Sequence, residues 1–395
     1  MRITDVETFA VANPEPGRGG PVFIFVKLST DAGITGIGEA YPAGTGPETT
    51  CRLIEEVAAR HLLGRPFPAI EAVWREVYGR GYGGRPEIGL MSVLSALEMA
   101  LWDILGKEVG KPVHVLLGGR VHERLRSYTY LYPPAGVGGD FYSDPEASAE
   151  VAAAAVAEGF TAVKFDPCYP YTVYDGRQPS MADFDRVERF LTCLREAVGG
   201  RADLLVGTHG QFTPSGAIRL AERMAPFAPL WFEEPVPPES PEEMARVARA
   251  STVPIATGER LATKHEFARV LACGAAAILQ PNLGRCGGLL EARKIAALAE
   301  VHYAQIAPHL YCGPVVAAAN IQFAASIPNF LILESIWKMD GFYAELLETP
   351  LAWEDGHVLV PEAPGLGVTL DEAVARAHPW PGGSGLHLEP QERPA

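Results

Sequence analysis

The residues of this sequence best suited to chemistry stand at the ends of short apolar runs. In chain order they are Lys164 with Asp166, Gly207 with His209, Glu233 with Glu234, Glu259 with Arg260, then Asn282, His309 and Glu334. Glu233 follows Gly207 by 26 residues, and Glu259 follows Glu233 by the same 26. That repeat predicts equivalent depths on neighbouring strands, where a hard divalent cation takes oxygen ligands. Two of the three positions carry carboxylates, and the first is glycine. Lys164 is isolated in an apolar strand, where a charge is costly unless it faces a site or a partner. Asp166, two residues on, shares its face and is a candidate partner. His209 and His309 have the ionisation range for moving protons. Each also has a plainer reading: His209 as a solvated loop residue, His309 as a satisfied core residue, Glu233-Glu234-Pro235 as an acidic turn, and Glu259-Arg260 as a local ion pair.

Such residues need elements that bring their ends together. From about Leu125 the chain alternates short apolar strands with amphipathic helices. The expected strands are Ser127–Leu131, Ala162–Asp166, Asp203–Gly207, Leu230–Glu234, Ile255–Glu259, Ala277–Pro281, Gln305–Pro308 and Phe330–Glu334. Glu146–Glu158, Asp183–Val198, Ser215–Met224 and Leu289–Val301 read as helices between them. Eight strands with a crossover helix after each predict a parallel barrel, whose active site gathers at the C-terminal strand tips. An open doubly wound sheet is the alternative, weakened because no GxGxxG follows the first strand. Ahead of the barrel, Ile3–Ala12, Val22–Ser29 and Ile34–Ala40 read as a meander. Helical periodicity follows over Thr49–Leu63 and Gly89–Gly110, which makes an α+β unit up to about residue 125.

Composition narrows the function. The 395 residues carry a net charge of −15, with 48% hydrophobic and 21% charged residues. A globular protein with a large core follows, and nucleic acid or an anionic membrane is disfavoured as a partner. No signal-peptide pattern opens the chain and no 18-residue run is free of polar residues, so a cytoplasmic location is expected. The six cysteines form no CxxC pair, which predicts free thiols. Cys168, Cys286 and Cys312 are expected to pack near strand tips, and Trp102 and Asp103 to pack within the N-terminal unit. The glycine-rich stretch at 81–89 lacks P-loop spacing and reads as a connector.

The ordered motifs SALEMALWDILGK (95–107), KPVHVLLGG (111–119), KFDP (164–167), HGQFTP (209–214), WFEEPVPPE (231–239), ATGERL (256–261), QPNLGRCGG (280–288), APH (307–309) and LILE (331–334) resemble the mandelate racemase/muconate lactonizing enzyme branch of the enolase superfamily. The resemblance is closest to its acid-sugar dehydratases of the galactonate and mannonate type, and it covers nearly the whole chain. It implies an α/β fold, a (β/α)7β modified TIM barrel over residues 126–339. An α+β capping domain would be built from residues 1–125 and completed by 340–395, with loops 13–20 and 41–50 closing over the substrate. It also implies abstraction of a proton α to a carboxylate, an enediolate stabilised by Mg2+, and loss of a β-hydroxyl as water. By motif, Glu233 and Glu259 match metal ligands, Lys164 a group near the substrate carboxylate, His309 the base, His209 the acid, and Glu334 a substrate hydrogen-bonding residue. Asp166, Glu234 and Arg260 are further expected substrate contacts. A small-molecule sugar acid and a closed homo-oligomer are the implied partners.

Two positions depart from the family pattern. Gly207 stands where an aspartate supplies the first metal ligand, with Thr208, Glu234 or water as candidate replacements. Asn282 stands where an aspartate pairs with the base histidine; it can accept a hydrogen bond from the ring but supplies no charge. Asp166 stands where a racemase would carry a second basic lysine. An epimerase or cycloisomerase of the same superfamily, or a catalytically silent sugar-acid-binding relative, are the alternatives.

Overall fold

Aromatic and β-branched residues over the first forty positions favour strands, and an antiparallel meander results. The computed structural model describes residues 1–41, 46–79, 86–134, 139–169, 171–172 and 175–383. Within it β1 (Ile3–Ala12), β2 (Val22–Thr30) and β3 (Thr35–Ala40) form a three-stranded sheet in that order. It packs against α1 (Pro47–His61) and α3 (Ile88–Glu108), with α2 (Ile70–Gly79) beside them. The α3 helix starts where the Glu87 carboxylate accepts from the N–H groups of Gly89 (2.9 Å) and Leu90 (2.7 Å), donors that have no partner inside the helix. It lies so close to β3 that a β-carbon at Gly38 would come within 1.9 Å of the Ala96 carbonyl oxygen, so only glycine fits there. Long and apolar enough to cross a membrane by length and composition, α3 is instead mostly buried in this unit.

After the short α4 (Val113–Leu116) come eight parallel strands: β4 (Arg124–Tyr130), β5 (Ala162–Phe165), β6 (Asp203–Gly207), β7 (Trp231–Glu233), β8 (Ile255–Thr257), β9 (Ile278–Leu279), β10 (Gln305–Ile306) and β11 (Leu333–Ser335). They pair in chain order from β4 to β10, and β11 returns to β4 with Leu333 opposite Ser127. Ile306 donates to the Asn329 carbonyl and Leu331 donates to that of Ile306, both at 2.8 Å, which closes the ring. The open doubly wound alternative is thereby excluded. Helices α5 (Pro145–Ala157), α6 (Met181–Val198), α7 (Pro214–Met224), α8 (Pro241–Ala250), α9 (Thr263–Cys273), α10 (Gly288–Val301) and α11 (Pro314–Ala325) follow β4 to β10 in turn. The last strand is followed by the short α12 (Phe342–Glu345) in place of a full crossover helix, so the order is that of a (β/α)7β barrel. The observed strands begin and end within a few residues of the expected ones.

The barrel interior is filled by one side chain from each strand or its edge: Tyr128, Ala162, Leu205, Trp231, Ala256, Ile278, Ala307 and Ile332. Side chains alternate along a strand, so the second residue after each of these faces inward one layer nearer the C-terminal mouth. That layer includes Lys164, Gly207, Glu233, Gln280, His309 and Glu334.

The chain then forms a hairpin of β12 (Trp353–Glu354) and β13 (His357–Leu359), the latter antiparallel to β4. Helix α13 (Glu372–Ala377) leads back to β1, where Ala12 donates to the His378 carbonyl and Trp380 to that of Ala10, both at 2.8 Å. Lys27–Glu372 and Arg376–Glu7 ion pairs, each at 2.6 Å, border this seam. All six cysteines are free, as their spacing predicts.

Candidate active site

Lys164, at the inner end of β5, is the centre of a buried ion cluster. Its Nζ lies 2.6 Å from Glu233 Oε1 and 3.7 Å from Glu334 Oε1, with side-chain exposures of only 2%, 1% and 5%. The other Glu233 oxygen accepts from Trp231 Nε1 at 3.0 Å and Gln280 Nε2 at 2.7 Å. Burial alone would lower the Lys164 pKa, but Glu233 and Glu334 hold it well above its ordinary value, so the group is an ammonium. Burial raises the Glu334 carboxyl above the usual range, an effect that Lys164 opposes.

The equal spacing of residues 207, 233 and 259 does not translate into equal register. Gly207 pairs directly with Glu233, as expected, but Glu233 pairs with Ala256. Glu259 therefore lies three residues beyond the register partner, past a turn at Gly258 with φ 138°. Its carboxylate sits between two histidines instead of beside Glu233. Oε1 is 3.7 Å from His209 Nε2 and Oε2 is 3.2 Å from His309 Nε2. Burial would raise the Glu259 pKa, but His209, His309 and Lys164 together hold it far below the usual carboxylate range.

Asp166 does not pair with Lys164. One of its oxygens accepts from the Cys168 N–H at 2.8 Å, and the other meets the Tyr171 hydroxyl and His209 Nδ1, the latter at 3.3 Å. His209 thus stands between two carboxylates on a left-handed backbone (φ 45°), a conformation that aims its ring. Burial would lower its pKa, but Glu259 and then Asp166 outweigh this and push it up to about 9. Since 22% of the side chain stays exposed, the two carboxylates more than burial set its charge.

His309 has the opposite character. Burial takes its pKa down to about 4 against the pull of Glu259, with Lys164 reinforcing the fall. Its Nδ1 lies 2.8 Å from Asn282 Nδ2, and the Asn282 carbonyl oxygen accepts from the Gly284 N–H at 2.8 Å. That second bond orients the amide, so Asn282 donates to His309 and does not accept from it. Nδ1 is then the unprotonated nitrogen, and the ring proton sits on Nε2, facing Glu259. The expectation that Asn282 accepts from the ring is corrected.

Glu234 and Arg260 serve each other: Arg260 Nε donates to Glu234 Oε2 at 2.7 Å, and Thr257 adds a longer contact at 3.4 Å. The local Glu259-Arg260 pair is thus replaced by an Arg260–Glu234 pair. The Thr208 hydroxyl donates to the backbone carbonyls of Glu233 and Glu234. Sequence reasoning missed Trp231 and Gln280, although Trp231 shares the face of Glu233 by strand alternation and Gln280 begins the QPN motif. It also missed Tyr171, which carries no positional signal. The loop at 13–20 lies at this mouth, with the Arg18 guanidinium 5.0 Å from the Trp337 ring. Residues 42–45 of the second expected loop, and 81–85 of the glycine-rich connector, lie outside the described residues.

Residues 17–118 match the model of the mandelate racemase/muconate lactonizing enzyme N-terminal domain, and residues 146–374 match that of the enolase C-terminal domain-like family. The chain is 36% identical over 383 residues to a D-galactonate dehydratase of Ralstonia nicotianae, covering 95% of this chain and 93% of the relative. A D-xylonate dehydratase of Haloferax volcanii is 34% identical over 385 residues, covering 95% and 88%. A solved structure from Labrenzia alexandrii DFL-11, described as a candidate mandelate racemase/muconate lactonizing enzyme, is 60% identical over the full length of both chains with a TM-score of 0.96. The chain belongs to the mandelate racemase/muconate lactonizing enzyme family.

Sites of the enolase superfamily use Mg2+ to stabilise an enediolate, but the donor set of this family member does not fit that ion. Position 207 offers no side chain. Both Glu233 oxygens are engaged, one by the Lys164 ammonium and the other by two N–H donors. Glu259 is turned to the histidines, and Glu234 and Thr208 have other partners. Among the described residues no group of three or more His, Cys, Asp or Glu side chains could hold a metal. The chemistry below is therefore derived without an ion.

Proposed function

We propose that this protein is a sugar-acid dehydratase, a carbon–oxygen lyase that removes the proton α to the carboxylate of a polyhydroxylated acid and expels the β-hydroxyl as water. The observation that carries it is the pair of histidines on opposite oxygens of Glu259. His209 is held cationic between Asp166 and Glu259, while burial keeps His309 neutral. One mouth then holds an acid and a group able to become a base, which elimination requires. His209 gives its proton to the departing hydroxyl. His309 takes the α-proton at Nε2 in its other tautomer, which forms when Nε2 gives its proton to water, Nδ1 takes one from water, and the Asn282 amide turns to accept from Nδ1–H. The turn removes the Asn282–Gly284 bond, a cost of about 1–3 kcal/mol for a buried donor left unpaired. The dehydratase names of the relatives support this reaction class.

The donor orientation of Asn282 favours a second reading, a relative that binds sugar acids with little turnover. Incubation with D-galactonate, D-xylonate and D-gluconate separates the two readings. A dehydratase releases a product lighter by one water in the mass spectrum, and His209→Gln and His309→Gln each abolish it. An epimerase returns an isomer of unchanged mass, whereas a silent relative binds the acid by calorimetry and leaves it intact. The same family reading has the chain assembling into a closed homo-oligomer, to be read by sedimentation velocity.

A further inference from the structure

The cluster around Lys164 has the form of a cation site whose cation is covalently part of the chain. A β-carbon added to Gly207 would lie 3.4 Å from Lys164 Cε, so the lysine side chain runs beside the space a ligand at 207 would use. Its ammonium donates to Glu233 at 2.6 Å and lies 3.7 Å from Glu334, and with three N–H donors it can also be shared by a bound carboxylate. Glu233 is locked in place from its far side by Trp231 and Gln280, which use the oxygen that an ion would otherwise share. Removing a proton next to a carboxylate creates a second negative charge, and a fixed positive charge in a dry site offsets it without reorganisation.

We propose that the Lys164 ammonium, seated on Glu233 and Glu334 beside Gly207, is the resident cation of this site, so that the protein receives its carboxylate ligand without a divalent ion. The inference deepens the dehydratase reading, which supplies the carboxylate. It also matches the two residues to each other: an aspartate at 207 would bring a third carboxylate and suit a divalent ion, whereas glycine leaves one negative charge fewer, which suits a monovalent ammonium beside Glu233 and Glu334.

The test titrates Mg2+ alone into the protein by calorimetry, which needs no turnover and so stands or falls apart from the dehydratase reading. The wild type is expected to show no saturable binding at millimolar Mg2+. Lys164→Met combined with Gly207→Asp is expected to bind Mg2+ at least about tenfold more tightly than the wild type. Saturable submillimolar binding by the wild type overturns the proposal. So does a folded double variant, judged by its circular dichroism, that binds no better than the wild type. Because Lys164→Met removes the partner of two buried carboxylates and could unfold the chain, Gly207→Asp alone is titrated as well. With Lys164 still in place it should remain within about threefold of the wild type, and a larger gain shows that the ammonium does not hold the position.

Discussion

Asn282 decides which nitrogen of His309 carries the proton, and therefore what that ring can do. An amide pinned by the Gly284 N–H donates to Nδ1 and leaves the proton on Nε2. Asn282→Asp would accept from Nδ1–H with one oxygen and from Gly284 with the other, freeing Nε2 as a base. We expect turnover at neutral pH to rise on the order of tenfold or more, by the same logic that makes a wrong tautomer costly in acid–base dyads. Nitrogen-15 NMR of the ring should show Nε2–H in the wild type and Nδ1–H in the variant; Nδ1–H in the wild type would sink the argument. His209 presents the reverse case. With a pKa near 9 it keeps its acidic proton through neutrality, so kcat should decline as the pH rises through about 9. Asp166→Asn, which removes one of the two flanking carboxylates, should move that decline to lower pH in a pH–rate profile.

Buried carboxylates on one element cap the helices of another, and this joins the N-terminal unit to the barrel. Glu98 of α3 accepts from Leu289 (2.8 Å) and Leu290 (2.9 Å) at the start of α10, and Glu39 of β3 accepts from Val316 at 2.8 Å at the start of α11. Asp103 reaches Leu366 at 2.8 Å in the C-terminal segment. A helix start leaves its first N–H groups unpaired, and here an acid from a different unit supplies the acceptors. Glu98→Ala should lower the unfolding free energy by about 1–3 kcal/mol in denaturant titration, with Glu98→Gln losing less because one acceptor oxygen remains. A loss no larger than that of an exposed surface glutamate would show that packing alone holds the two units together. Asp103, expected to pack within the N-terminal unit, is buried there and also holds the C-terminal segment through Leu366.

Across the whole molecule the two histidines pull stability in opposite pH directions. The folded His209 holds its proton to about pH 9, against an ordinary 6.5. Its contribution is full below 6.5 and is lost as the pH rises toward 9. The folded His309 refuses a proton down to about pH 4, so its contribution is full above 6.5 and is lost as the pH falls toward 4. Denaturant titration should therefore show the gap between wild type and His209→Gln shrinking from pH 6.5 to 9. His309→Gln should flatten the wild-type loss between pH 6.5 and 4. Parallel curves for wild type and either variant would mean that the ring is not shifted as described.

The strands, their order and the inward positions were legible from the sequence alone, because alternation of apolar residues and regular spacing are properties of neighbouring residues. Lys164 as a site-facing charge, and Glu233 as a carboxylate at a strand tip, were readable for the same reason: a charge in an apolar strand must face something. What Glu259 faces was not readable, since equal spacing along the chain says nothing of hydrogen-bond register across strands, and one turn at Gly258 moves the side chain to a different neighbour. Nor could the sequence show that Asp166 serves His209, that Asn282 donates, or that Lys164 rests on Glu233. Each of these depends on which atoms from separate strands meet in a closed barrel, and only the tertiary structure sets those distances.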